Sequence, residues 1–299
     1  MSDSKQISIY DCTLRDGTQG ENISLSVADK INIAEKLDEI GIHYIEGGWP
    51  GSNQKDVEFF ARAKELTWKN SKIAAFGSTR HHNNSVEEDP NIAALLKAET
   101  PAVTLVGKSW DFHVELALGT TLEENLKMVK DSVTYLKDRD KEVIFDAEHF
   151  FDGYAANPKY AKAVLRTARD AGADWVVLCD TNGGNLPSTV GSLTQLLSPE
   201  FPYLGIHTHN DCEVGVANSL AAVEEGAHMV QGTINGYGER CGNANLCSIV
   251  PTLELKLEKE TIGEENLKGL TSLAYFVSET ANMLLPNNLP FVGKSAFAH

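Results

Sequence analysis

Residues 170–177 read DAGADWVV: the end of a helical pattern, a glycine, then an apolar run. The same arrangement recurs at 39–46 (EIGIHYIE) and at 224–231 (EEGAHMVQ). A glycine in that place closes a helix with a left-handed residue at little steric cost, and the run behind it carries the chain back into a sheet. A helix leading straight into a buried strand, three times over, is the repeating unit of a parallel α/β fold.

Working outward from these units, apolar runs at 7–12, 43–46, 73–76, 102–106, 143–145, 175–178, 203–207 and 229–232 predict eight strands. Helical periodicity fills 27–40, 56–66, 92–98, 122–137, 158–171, 186–197 and 212–225. Eight strands alternating with helices predict an α/β chain whose residues 1–260 close into a (β/α)8 TIM barrel. The rival, a doubly wound open sheet, expects a GxGxxG after the first strand, and none is there. After about residue 260 the rhythm changes: 264–285 predicts one longer helix with no strand behind it, followed by the loop-like PNNLPFVGKSAFAH. Residues 261–299 therefore read as a helical linker and the start of an accessory region.

A formal charge of −16 argues against a nucleic-acid partner, because a polyanion needs a basic face and no Lys/Arg-dense stripe supplies one. No segment reaches the roughly 18 to 20 apolar residues that span a bilayer. The N-terminal MSDSKQISIYD also lacks the basic and apolar regions of a signal peptide. The five cysteines, Cys12, Cys179, Cys212, Cys241 and Cys247, show no CxxC spacing and suit reduced core or near-core thiols. A cytoplasmic enzyme without a membrane partner is the expectation.

In a parallel barrel, chemistry gathers at the C-terminal ends of the strands. Here those ends are rich in acids, His, Asn, Thr and Gly: DCTLRDG, EGGWPGSN, GSTRHH, DAEHF, CDTNGG, HTHND and GTINGYGERCGNAN. His207 and His209 lie two apart, so on a strand both imidazoles point the same way and can converge on one cation. A carboxylate from another strand end would complete the site, with Asp11, Asp16 and Asp180 as candidates. Arg15 beside Asp16 is either a surface ion pair or a guanidinium aimed at a substrate carboxylate or a developing oxyanion. Glu148 and His149 are candidates for general acid–base work, and Thr181 with Asn182 for carboxylate binding, although loop polarity and a tight turn explain them equally well. Trp49 and Trp110 read as packing residues roofing the mouth.

Assembled in order, YDCTLRDGTQG (10–20), DTNGG (180–184), HTHND (207–211) and NGYGERCGNANL (235–246) resemble the DRE-TIM metallolyases, and more narrowly their 2-isopropylmalate, homocitrate and citramalate synthases. EGGWPGSNQKD (46–56) and FDAEHFFDGY (145–154) look like the bacterial citramalate synthase branch. The resemblance covers essentially the whole chain. It implies a Claisen-type condensation of acetyl-CoA with a 2-keto acid, pyruvate in that branch, followed by hydrolysis to (R)-citramalate and CoA. It implies a divalent ion (Mg, Mn, Co or Zn) held by Asp16, His207, His209 and Asn243. Arg15 would stabilise the charge growing on the keto oxygen, Thr181 would hold the keto-acid carboxylate, Gln19 would line the pocket and Glu148 would assist near the acetyl group. A homodimer is implied too, with the apolar stretch at 284–291 contributing. In the family, the segment resembling GKSAFAH continues into a Gly-rich stretch with a further His, proposed as the base, and then regulatory domains. The sequence here stops at His299. The resemblance then implies either a catalytic-domain piece or a protein that naturally lacks that region, with metal and keto-acid binding retained, full turnover open and end-product feedback absent. Within the fold the rivals are isopropylmalate or homocitrate synthases and hydroxymethylglutaryl-CoA lyase-type enzymes. Outside it they are a non-haem iron oxygenase, since two His and a carboxylate also suit Fe(II), and an inactive metabolite-binding barrel.

Overall fold

The computed structural model describes residues 5–298; residues 1–4 and His299, where the N-terminal and chain-end readings begin and stop, lie outside the described residues. Eight strands form one ring: β1 Ser8–Asp11, β2 Tyr44–Gly48, β3 Lys72–Ser78, β4 Ala102–Lys108, β5 Glu142–Glu148, β6 Trp175–Asp180, β7 Leu204–Thr208 and β8 Met229–Gly232. Each pairs in parallel with the next, and β8 closes on β1 from Ser8↔Met229 to Asp11↔Gly232. The expected TIM barrel is the observed one.

Around the ring run α1 Val27–Glu39, α2 Gln54–Ala63, α3 Pro90–Lys97, α4 Asp111–Leu116, α5 Leu122–Lys137, α6 Phe150–Ala156, α7 Pro158–Asp170, α8 Pro187–Leu197, α9 Gly215–Glu224 and α10 Leu246–Leu255. Their starts follow local chemistry. Ser26 and Asp29 form a reciprocal capping box on α1, and Asn157 accepts from the Tyr160 N–H ahead of Pro158 on α7. Gly41, Gly172 and Gly226 all have positive φ, as the three glycine signals require.

Alternation along the strands splits the core in two. One set of residues, including Ile9, Ile45, Val103, Phe145 and Ile206, faces the helices in a continuous outer layer. The other, including Tyr10, Cys12, Tyr44, Ile144, Val177 and Met229, fills the ring itself. Each buried aliphatic or aromatic side chain contributes about 1.5–3 kcal/mol. Phe145→Ala, at a fully buried position, would cost about 3–5 kcal/mol.

Three features differ from the sequence expectations. The helix expected over 264–285 is two helices, α11 Glu264–Leu267 and α12 Leu270–Thr280, separated at Gly269; the chain then leaves helix where Asn282 takes a φ of 54°. α12 does not stand apart, because Leu270, Leu273, Ala274 and Val277 are buried in the outer core and the helix packs on α1. α4, α6 and α10 were not expected; α10 carries Pro251 inside it, which obscures its period. Cys212 and Cys241 are exposed in mouth loops rather than core-bound, whereas Cys12, Cys179 and Cys247 are buried. Among the described residues no helix is long and apolar enough to cross a membrane.

Candidate metal centre and active-site pocket

The site is built where β1 stops. Asp11 turns its carboxylate back onto its own loop, accepting from the Thr13 N–H at 2.9 Å and the Thr13 hydroxyl at 2.8 Å. Burial pushes that carboxyl up to about 7, so Asp11 holds the turn and offers nothing to the mouth. Arg15 and Asp16 follow, and Asp16 opens a single 3-10 turn, Gly17–Gln19.

Across the ring, β7 delivers His207 and, just beyond its end, His209. Their Nε2 atoms are 3.4 Å apart, and His207 Nε2 lies 3.6 Å from Asp16 Oδ2. The donor atoms of Asp16, His207 and His209 all lie within 4.8 Å of one another, and all three residues are buried. Asn243 donates from Nδ2 to Asp16 Oδ1 at 3.2 Å and to the Tyr237 carbonyl at 3.0 Å. Gly238, with φ 152°, makes room for that amide; a Cβ there would collide with Nδ2.

The electrostatics suit a cation. Burial alone would raise Asp16, but the Arg15 guanidinium, the two imidazoles and the Asn243 amide together bring it down to about 2. Burial, then the neighbouring His207, lower His209 to about 4, leaving it neutral with a lone pair at ordinary pH. Asn243 Oδ1 is a buried acceptor with no hydrogen-bond partner among the described residues. A carboxylate, two imidazole nitrogens and an orphaned amide oxygen are a mixed O/N donor set that fits a divalent ion. Of the three carboxylates the sequence offered, only Asp16 joins the cluster. Asp180 is taken by Asn185, through its backbone N–H at 3.3 Å and Nδ2 at 2.7 Å.

Arg15 is not a surface pair. Its Nε donates to Glu46 Oε1 at 2.6 Å, Nη1 lies 3.1 Å from Asp16 Oδ2, and its guanidinium sits 3.8 Å from the Phe76 ring centre. Glu46 is fully buried and also accepts from the Tyr10 hydroxyl at 2.7 Å. The β2–β3 register slips between Glu46 and Gly48, at the strand end that brings Glu46 to Arg15. The sequence reading did not single out Glu46; an acid at the end of an otherwise apolar strand was the available signal.

Arg15, Asp16, His207 and His209 line one cavity of about 800 Å³ together with Gln19, Trp49, Glu148 and Thr181, while Glu46 and Asn243 stand behind them. Glu148 is ion-paired with Lys108 from the adjacent strand, a residue the sequence reading also passed over. The Thr181 hydroxyl accepts from the His149 N–H at 2.9 Å and keeps its own proton free to donate. His149 and Asn182 both turn to Asp152, at 3.1 and 2.9 Å, and neither lines the cavity. Trp49 roofs the pocket as expected, whereas Trp110 packs beside it on His113 and His149. The cavity thus brings together a cluster that could hold a cation, an adjacent guanidinium, an ion pair and a hydroxyl. That arrangement can bind a small oxyanion bidentately to a metal and stabilise charge on it as it reacts.

Comparison with known proteins agrees with this geometry. The HMGL-like family matches residues 6–277. An (R)-citramalate synthase of Aquifex aeolicus is 61% identical over 99% of this chain and 56% of its own length. One of Geobacter sulfurreducens is 56% identical over 98% of this chain and 56% of its own length. The chain thus spans about half the length of these curated relatives. The crystal structure of an HMG-CoA lyase from Bacillus subtilis superposes with a TM-score of 0.78 at 21% identity, covering 96% of this chain and 97% of that one, which shows a shared fold. With its strand-end cluster in place and the match running over nearly the whole barrel, the chain belongs to the HMGL-like family.

Proposed function

We propose that this chain is the catalytic barrel of a condensing acyltransferase that joins acetyl-CoA to pyruvate, giving (R)-citramalate and CoA. The observation that carries the reading is the buried Asp16–His207–His209 cluster with Arg15 against it, in a chain 61% identical to an (R)-citramalate synthase. A divalent ion bound by Asp16, His207, His209 and Asn243 would polarise the keto group and fix its orientation. Mg, Mn, Co and Zn all suit that donor set.

The residues then divide the work. Arg15, held by Glu46 and stacked on Phe76, presents its remaining N–H groups to the keto oxygen as negative charge grows there. The Thr181 hydroxyl binds the keto-acid carboxylate, and Gln19 closes the pocket beside it. Glu148, steadied by Lys108, sits near the acetyl group of the thioester. The acetyl methyl carbon loses a proton and bonds to the keto carbon, whose oxygen takes the C=O electron pair and a proton to become the tertiary hydroxyl; water then cleaves the thioester, leaving a carboxylate and the CoA thiol. Holding the two reactants at near-attack distance supplies a large share of the rate. The chain works in the cytoplasm as a homodimer; Leu284, 96% exposed, supports the pairing, while Leu285, Leu289 and Phe291 pack on the core.

The test is calorimetric titration of pyruvate with and without Mn2+, followed by assay of acetyl-CoA-dependent thiol release. Metal-dependent pyruvate binding with thiol release is the expected result. Binding without release would leave the keto-acid site standing and remove the condensing step from this chain. Binding of larger keto acids in place of pyruvate would move the assignment to another synthase of the family.

A further inference from the structure

His207 uses both ring nitrogens, and their neighbours differ in kind. Nε2 faces Asp16 and His209, while Nδ1 lies 2.8 Å from Gln231 Oε1. An amide oxygen only accepts, so Nδ1 carries a proton, and in the neutral ring Nε2 then keeps the lone pair that a cation needs. The same amide turned over would donate to Nδ1 instead. The ring proton would then sit on Nε2, pointing into the cluster and blocking it.

The far end of the amide decides between these states. Gln231 Nε2 donates to Asp146 Oδ1 at 2.9 Å. Turned over, the amide would set an oxygen against an oxygen, lone pair to lone pair. Gln231 is fully buried and Asp146 nearly so, which leaves little water to relieve that clash. Backbone pairing fixes the rest: His207 and Gln231 are register partners on β7 and β8, and Asp146 reaches them from β5 across the ring. As a carboxylate Asp146 can only accept, and this form fixes the amide; the neutral acid could instead donate to the oxygen of a turned-over amide.

We propose that Asp146 is a positioning residue: it orients the Gln231 amide, and through it fixes His207 as the tautomer with a free Nε2. The consequence for cation affinity rests on the metal-centre reading above; the tautomer is a property of the chain alone. Outer partners that orient a metal-binding imidazole are commonly worth about 10–100-fold in metal affinity.

The experiment uses the whole chain, labelled with 15N-histidine and free of metal, and long-range 1H–15N correlations that separate protonated from bare ring nitrogens. Wild type should show Nδ1–H and a bare Nε2 on His207. Asp146→Leu should bring in the Nε2–H form and weaken Mn2+ binding in calorimetry about 10–100-fold. The near-isosteric double variant D146N/Q231E moves the charge one place along the chain. Its introduced carboxylate can only accept from Nδ1–H while the introduced amide donates to it, so the wild-type tautomer and most of the Mn2+ affinity should return. A purely structural role for Asp146 predicts no such rescue. Nε2–H in the wild type overturns the proposal, and so does a D146L chain with unchanged tautomer and affinity, or a folded D146N/Q231E chain carrying Nε2–H. A wild type with Nδ1–H that binds no Mn2+ overturns the metal-centre reading and leaves the tautomer assignment standing.

Discussion

The two ends of the barrel put their buried polar groups to different use. At the base, where strands begin, the carboxylates are answered. Asp38 accepts backbone N–H groups from Lys69, Asn70 and Ser71 at 3.0, 2.8 and 2.8 Å. Asp174 accepts from the Val143 N–H at 2.7 Å and from Lys137 at 2.6 Å, and Glu142 accepts from the Tyr44 hydroxyl at 2.6 Å and pairs with Lys72. At the mouth, Asp16 is answered by Arg15 and by the Asn243 amide, yet beside it both His209 Nδ1 and Asn243 Oδ1 are buried without partners among the described residues, where the base has the single His228 Nδ1 ahead of β8. Answered charges hold the fold together. Two unanswered buried atoms in one cluster are costly, about 1–3 kcal/mol each, and a cation or its ligands would answer them.

This contrast breaks if a mouth substitution mainly costs stability or a base substitution mainly costs binding. The largest effect is expected at Asp16. Asp16→Ala should reduce Mn2+-dependent pyruvate binding by at least about 100-fold, since even outer-shell losses reach that size. The urea midpoint of the metal-free chain should not fall, because removing functional groups often spares or raises stability. A collapse of stability with binding retained would reverse the assignment of that end.

Arg15→Lys comes next. A lysine keeps the charge but cannot hold Glu46 and Asp16 through separate nitrogens of one planar fork while stacking on Phe76. Thiol release should drop about 100-fold, the usual range for a lost oxyanion donor, with Mn2+ affinity within a few-fold of wild type. Equal losses in both readouts would mean that Arg15 serves the cation site and not the reacting oxygen.

At the base, Asp38→Ala should cost about 2–3 kcal/mol in urea unfolding, because its carboxylate holds three backbone donors, and should leave Mn2+ affinity unchanged. Asp38 also carries a pH signature. Burial would raise its carboxyl, but the three N–H groups hold it below the usual range. A folded value below the unfolded one gives stability that is complete above the ordinary carboxylate value of about 4 and is lost as pH falls through the folded value. Midpoints measured from pH 7 to pH 3 should fall on the acid side in the wild type and less steeply in Asp38→Ala. The smallest effect is expected from Glu142→Gln, below about 1 kcal/mol, since its partner Lys72 has a side chain 52% exposed.

Most of this fold was legible in the sequence because helix closure and strand entry are local events. Gly41, Gly172 and Gly226 marked three strand entries, and all eight strands fall where the apolar runs placed them. The short helices α4 and α6 were not legible, since they lie in loops whose aromatic and polar residues show no sustained period. At 264–285 the apolar pattern runs on through Gly269, so periodicity alone could not show the break. The site divides in the same way. His207 and His209 share a strand face by spacing alone. The choice of Asp16 over Asp11 and Asp180 depends on which side chain is consumed by its own turn, by Thr13 in one case and Asn185 in the other. Glu46 and Gln231 depend on contacts between strands: Glu46 is 31 residues from Arg15, and Gln231 is 85 from Asp146. No pattern along the chain announces such a meeting.

The central claim is that the mouth holds a cation site built to present a 2-keto acid. Its most direct test is pyruvate titration by calorimetry on wild type and His207→Ala, each with and without Mn2+. The account predicts binding by wild type only when Mn2+ is present, and none by His207→Ala in either condition. Pyruvate binding that ignores Mn2+, or that survives His207→Ala at full strength, would contradict it.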